Sequence, residues 1–315
     1  MKGRSTGERC EEGVAAKGPA GESPPVQAVP RPRLEVVAAA LLFSTGGAAI
    51  KATTLSGFQV AGLRSGIAAL ALVALSRSAR RGYGVRALLV GLAFAASLVL
   101  FVSANKLTTA AASIFLQSTA PLYVLLLGPP LLGERARRSD VALMVPVAAG
   151  LLLVFLGSGT AGRTSPDPFR GNVLALLSGV TWALALMGLR WMGRVPGSSP
   201  MASVVAGNVL AFLLCLPFLG SPAAIGAADW GAILYLGVFQ VALAYVFLTA
   251  GARHLPALAT ALLLLVEPAL NPAWAWAIHG ERPTLLAAAG GALILGATAL
   301  KAWVDARVAP VRPPA

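Results

Sequence analysis

Acidic residues, cysteine and histidine are scarce in this chain: 12, two and two of 315 residues, respectively. Cys10 lies in a polar leader and Cys215 in an apolar run, which excludes a disulfide framework and leaves no metal-binding thiol spacing. His254 and His279 fall in segments expected on opposite faces of a membrane. No paired carboxylates and no Gly-rich phosphate loop before a helix are found, so the groups an enzyme would need are not assembled. Neither a metal nor a cofactor is expected. Charge of both signs is thin, 12% of residues against about 25% in soluble domains.

What is abundant is apolar surface. Hydrophobic residues make up 57% of the chain, and mean hydropathy is +0.77. A soluble fold of this length cannot hide so much of it from water. Lipid admits only helices and closed barrels, because every backbone N–H and C=O needs a partner. Barrel strands alternate apolar with polar residues. Here the apolar stretches are continuous, as over 34–53 and 85–105, lengths that suit helices crossing roughly 30 Å of hydrocarbon. The expected fold class is an all-α integral membrane protein.

Ten spans are expected, near 35–53, 58–77, 85–105, 110–131, 139–157, 171–191, 201–219, 230–250, 257–278 and 284–303. Residues 1–34, rich in Pro, Gly, Ala and charge, read as a disordered tail. Residues 35–157 and 171–303 form two five-helix groups, 158–170 link them, and 304–315 form a second tail. The net charge of +13 does not point to nucleic acid, because basic residues punctuate the apolar runs instead of clustering on one soluble unit. Lys51, Lys106, Arg163, Arg170 and Arg282 fall on one side; nearly all others fall on the opposite side with both termini. The positive-inside rule places that richer side, and both tails, in the cytoplasm of a plasma (inner) membrane.

Two segments match at a constant offset of 147 residues. Pro121 pairs with Pro268, Gly133-Glu134-Arg135 with Gly280-Glu281-Arg282, and Lys106 with Arg253. An odd number of spans per copy turns the second copy upside down. Inverted halves that exchange conformations open a site between them to each side in turn, which is the architecture of secondary transporters. Duplication that merely enlarged the bundle is the competing reading.

These residues carry a resemblance. The two Gly-Glu-Arg copies, each twelve residues after a Pro, the run Val266-Glu267-Pro268, Arg64 in the second span, and the Ala-rich openings at Ala110 and Ala257 resemble the EamA-type branch of the drug/metabolite transporter superfamily. The resemblance covers about 35–303. It implies ten helices in two inverted repeats, cytoplasmic termini, a central substrate cavity, and export of amino acids or other metabolites.

Glu267 is the one acid near the middle of an expected span. A charge there costs roughly 2.5–3.5 kcal/mol by insertion scales. It either binds a cationic part of a substrate or exchanges a proton, or its protonated form bonds a helix freed by Pro268. Other mid-span polar groups are Gln240, Tyr245, Asn208, Gln117, Ser44 and Asn271. Each is a candidate ligand or interhelical glue. Trp182 departs from the usual interfacial placement of tryptophan and suits a cavity wall or a cation–π face. Arg64 either snorkels to the interface or sits in the cavity and attracts a carboxylate. Lys51 and Lys106 are expected to snorkel, and Trp274 and Trp276 to form an interfacial belt. Glu134-Arg135 and Glu281-Arg282 are expected to anchor loops or form gates. Gly62, Gly66, Gly46, Gly47, Gly290 and Gly291 are expected at close helix contacts. The partners expected are a small molecule (amino acid, amine or related compound), the lipid bilayer and protons. A non-transporting scaffold or sensor is the alternative.

Overall fold

A computed structural model describes residues 31–133, 138–157 and 164–308. The elements are helices α1 (Arg31–Ser44), α2 (Gly46–Lys51), α3 (Gly57–Leu75), α4 (Val85–Leu107), α5 (Ala110–Gln117), α6 (Ala120–Leu132), α7 (Arg138–Leu156), α8 (Pro168–Arg194), α9 (Pro200–Cys215), α10 (Ala227–Tyr235), α11 (Ala244–Ala252), α12 (Ala257–Leu263), α13 (Val266–His279) and α14 (Leu285–Val308). Short 3-10 turns lie between some of them, and a π-helical stretch, Leu236–Leu243, joins α10 to α11.

Eight helical stretches are long and apolar enough to cross a membrane: Arg31–Lys51, Gly57–Leu75, Val85–Leu107, Ala110–Leu132, Pro168–Arg194, Pro200–Phe218, Ala227–Ala252 and Ala257–His279. Two further apolar helical stretches, Val141–Leu156 and Leu285–Ala297, are shorter. The outer surface is apolar, with Leu70, Val85, Val145 and Leu285 all well exposed. A surface of that kind is tolerated by lipid and not by water. The protein is a multi-pass membrane protein.

Two boundaries differ from the sequence expectation. Residues 31–34 are helical, because Pro32 falls in the first turn, where its missing N–H costs nothing, and Arg31 Nε lies 3.1 Å from Glu35 Oε1 one turn on. At the other end α14 runs to Val308 and not to 303. An apolar run marks the bilayer, whereas a helix continues through polar residues such as Lys301 and Asp305. The rest of both tails, together with Glu134, Arg135 and the linker segment 158–163, lies outside the described residues.

Three expected spans are interrupted, and each interruption has a local cause. Proline removes a donor and its ring presses on the carbonyl four residues earlier. For Pro121 that residue is Gln117, where α5 ends; for Pro268 it is Leu264, the residue that follows the end of α12. Between α1 and α2 the Ser44 and Thr45 hydroxyls donate to Leu41 O and Leu42 O at 2.7 and 2.9 Å, just before the weak helix formers Gly46 and Gly47. Past the prolines, α6 and α13 both end in left-handed glycines, Gly133 (φ 66, ψ 15) and Gly280 (φ 67, ψ 13), the usual αL stop.

Lipid tails supply no hydrophobic drive between helices, so packing rests on close approach. Gly62 and Gly66 of α3 face Cys215 and Phe212 of α9. α7 and α14 also approach closely: a Cβ on Gly290 would stand 2.5 Å from Gly150 O. Gly290→Val is therefore expected to lower the thermal midpoint in detergent by several degrees, as overpacking costs of about 1–3 kcal/mol imply. An unchanged midpoint by scanning fluorimetry would contradict this packing.

Candidate substrate site

Near the middle of the bundle Phe43 (α1), Arg64 (α3), Ser97, Leu98 and Phe101 (α4), Gln117 (α5), Trp182 (α8), Gln240 and Val241 (π stretch), Tyr245 (α11) and Glu267 (α13) enclose a cavity of about 40 Å³. That holds a few waters and no metabolite, for which roughly 300–1,000 Å³ is usual. A second space of about 20 Å³ lies against the broken helices, lined by Ser118, Pro121, Leu264 and Pro268 among others. Gln117, Trp182 and Glu267 border both.

The walls are aromatic. The lining rings Phe43, Trp182 and Tyr245 and the fully buried Phe94, which does not line the cavity, meet edge to face, with ring centroids 5.2 Å apart for Phe43–Tyr245, 5.4 Å for Phe94–Tyr245, 6.0 Å for Phe94–Trp182 and 6.2 Å for Phe43–Trp182. This geometry suits the ring quadrupoles and leaves π faces available to a cation.

Set into these walls are two ionisable groups of opposite sign. Arg64 is only 2% exposed, which corrects the snorkelling alternative. It lies where α3 packs on α4 and the π stretch, so its head is enclosed by protein. Its Nη1 donates to Gln240 Oε1 at 3.3 Å and its Nη2 to Leu98 O at 3.5 Å, both long, and its Nε has no partner. Glu267 sits at the start of α13, immediately after the break that Pro268 imposes. Among the described residues its carboxyl group has no ion-pair partner within 4 Å.

Gln240 is aimed by the π stretch. The wider turn displaces its register, and its Nε2 also reaches Phe43 O at 3.5 Å. Room for it is made by Gly46, where a Cβ would stand 2.6 Å from Gln240 Nε2. Gln117 Nε2 donates to Ser178 Oγ at 2.6 Å, and that hydroxyl donates to Ser97 O at 3.3 Å, tying α5, α8 and α4.

Six of the eight candidate residues thus meet at one cavity: Glu267, Gln240, Trp182, Tyr245, Arg64 and Gln117. Ser44 and Asn271 do not line it. Ser44 turns to α13, accepting from Trp274 Nε1 at 3.2 Å, so Trp274 also holds a helix contact beyond its place in an interfacial belt. Trp276, 55% exposed, lies 5.7 Å below Arg282. Asn271 is fully buried against Gly47, with both amide atoms unpartnered. Asn208 donates to Val204 O at 2.9 Å within its own helix. Phe43, Ser97, Leu98 and Phe101 are lining residues that sequence reasoning missed. Only Ser97, a polar residue mid-run, carried a usable signal.

The two lysines, expected to snorkel, are held by protein partners. Lys51 Nζ lies 3.0 Å from Glu281 Oε1, and Lys106 Nζ donates to Thr53 O at 2.7 Å. Both are held by protein oxygens where helix ends converge.

The model of the EamA-like transporter family matches residues 34–156 and 169–302 of this chain. The chain belongs to the EamA-like transporter family. Membership points to a transporter and away from an enzyme. Among similar curated proteins is the pseudopaline exporter CntI of Pseudomonas aeruginosa strain UCBPP-PA14, 29% identical over 276 residues, covering 83% of this chain and 92% of the relative. The CntI of strain PAO1 matches equally, at 29% over 276 residues. A solved crystal structure with 23% identity covers 89% of this EamA-like chain and 99% of its own, with a TM-score of 0.64, which shows a shared fold.

Proposed function

We propose that this protein is a secondary transporter that exports a small metabolite, an amino acid, an amine or a related compound, by alternating access. The observation that carries the reading is the buried cavity where Arg64 and Glu267 face a common space walled by Phe43, Trp182 and Tyr245. Arg64 offers a planar donor fork to a carboxylate. Glu267 and the aromatic faces offer an anion and π surface to an ammonium group. Glu267 also serves proton exchange, since it borders both spaces.

The substrate path lies between two five-helix halves, 35–157 and 171–303, in inverted arrangement and ten spans. Supporting this are the helix breaks and left-handed caps that recur at the sequence offset of 147 residues. Both termini are cytoplasmic and the membrane is the plasma membrane, on the distribution of Lys and Arg. Export is supported by the relatives' named activity. The closed cavity implies a rearrangement before substrate enters, as alternating access requires.

In cells lacking their own exporters and loaded by dipeptide hydrolysis, expression is expected to lower the internal level of one amino acid class several-fold. Equal internal levels across amino acids and amines, with the protein verified in the membrane, would overturn export. Trp182→Ala is expected to raise the half-saturation concentration of that substrate about tenfold, equivalent to roughly 1.4 kcal/mol, with little change in maximal rate. An unchanged half-saturation value would remove Trp182 from the site.

A further inference from the structure

We infer that Lys51 and Glu281 form the latch that closes the cavity toward the side opposite the termini. This rests on the alternating-access reading above and deepens it by naming the group that opens.

The latch is a buried ion pair. Lys51 Nζ and Glu281 Oε1 are 3.0 Å apart, with side chains only 5% and 6% exposed. The other ion pairs between described residues, Arg31–Glu35 and Arg170–Asp167, each keep one side chain largely in the open. Each member of the buried pair also holds backbone. Lys51 Nζ donates to Thr108 O at 3.0 Å and to Thr164 O at 2.5 Å. Glu281 Oε2 accepts from Ala110 N at 2.9 Å.

Apart from Thr164, which lies in the segment before α8, these residues sit at the ends of elements that line the cavity. Lys51 ends α2, the continuation of the Phe43 helix. Thr108 caps the end of α4, which carries Ser97 and Phe101. Ala110 begins α5, which carries Gln117. Glu281 follows α13, which carries Glu267. At 1.5 Å per residue the latch lies roughly 10 Å along α4 and α5 from the cavity lining. One pair of side chains therefore gathers four wall elements at a single mouth. Around it, Lys106 Nζ reaches Thr53 Oγ1 at 2.9 Å, and Thr54 Oγ1 reaches Asp229 Oδ2 at 2.6 Å.

A buried pair suits a gate better than an apolar plug. Desolvation offsets much of its Coulomb attraction, so its net contribution is small while its geometry is specific. When water enters, both ions are hydrated and the ends separate at modest net cost. A tightly packed apolar seal lacks that compensation.

The test places a single reporter thiol in the cavity wall, Ser97→Cys, in a chain carrying Cys10→Ser and Cys215→Ala. Labelling by a membrane-impermeant maleimide from the side opposite the termini is followed in proteoliposomes of determined orientation. The double variant Lys51→Gln/Glu281→Gln leaves no lone buried charge and is expected to fold. It should label at least tenfold faster. Glu281→Gln alone serves as a second unlatched variant. Labelling as slow in the unlatched variants as in the latched chain overturns the latch. Counterflow by the chain with Lys51 and Glu281 intact is measured in the same vesicles. Flux without accelerated labelling rejects the latch and keeps the transporter; accelerated labelling without flux rejects the transport reading on which the latch depends.

Discussion

Glu267→Gln is expected to reduce substrate counterflow at least tenfold while leaving expression, monodispersity in detergent and thermal midpoint nearly unchanged. Glutamine preserves the volume and hydrogen-bonding reach of glutamate and removes only its capacity for charge and for proton exchange. The position demands little of it structurally. No ion-pair partner within 4 Å is present among the described residues, and the neighbouring break is imposed by Pro268, which the substitution leaves intact. The loss should therefore appear in transport alone. If Glu267 carries a proton, an imposed pH gradient will drive uptake in the unsubstituted protein and have no effect on the variant. If it binds only a cationic group, the variant will regain flux at raised substrate concentration. Full activity with normal pH dependence would make Glu267 a structural residue.

The second large effect is expected at Arg64, and it runs in opposite directions for transport and stability. A guanidinium 2% exposed, held by contacts at 3.3 and 3.5 Å and with Nε unpartnered, is poorly compensated for its desolvation. Taking a poorly compensated buried ion out of the structure relieves its desolvation cost. Arg64→Met should thus hold or raise the thermal midpoint. The same change removes the donor fork offered to a carboxylate, and counterflow of carboxylate-bearing substrates should fall at least tenfold. Arg64→Lys should not restore it, because a lysine ammonium cannot reproduce the planar two-point contact. A destabilised Arg64→Met protein that still transports normally would assign Arg64 to scaffolding. Joint measurement of midpoint and flux separates the two outcomes.

Much of the fold was legible because lipid simplifies the code. Apolar runs of span length announce helices, and the Pro and Gly-Glu-Arg matches mark equivalent places in two segments. The helix interruptions were only partly legible. Pro121 and Pro268 announce a lost hydrogen bond, but the break appears at the residue four positions earlier, and the one at Thr45 depends on hydroxyls turning back onto their own helix. The π stretch around Gln240 was not read from the sequence, where Gly237, Val238 and Val241 look no different from the residues of other spans.

The candidate site shows the same division. Glu267, Arg64, Gln240 and Gln117 stand out because a polar side chain in an apolar run needs a reason. Polarity does not tell a ligand from interhelical glue, so Ser44 and Asn271 were indistinguishable from them until Trp274 and Gly47 were seen as their neighbours. Phe43, Leu98 and Phe101 were invisible for the opposite reason. In a membrane helix both the lipid face and the cavity face are apolar, so periodicity does not separate them. Lys51 looked like a snorkelling residue because its partner Glu281 lies in the other half of the chain.

The central claim is transport through the cavity at Arg64 and Glu267, and counterflow in liposomes tests it most directly. Purified protein of determined orientation would be reconstituted with unlabelled substrate inside, and entry of labelled amino acids, amines and nucleobases would be followed. Transient accumulation of one amino acid or amine class above equilibrium is expected, abolished in the Glu267→Gln protein. Folded protein that gives no counterflow with any member of the panel, or flux that is indifferent to both Glu267→Gln and Arg64→Met, would contradict it.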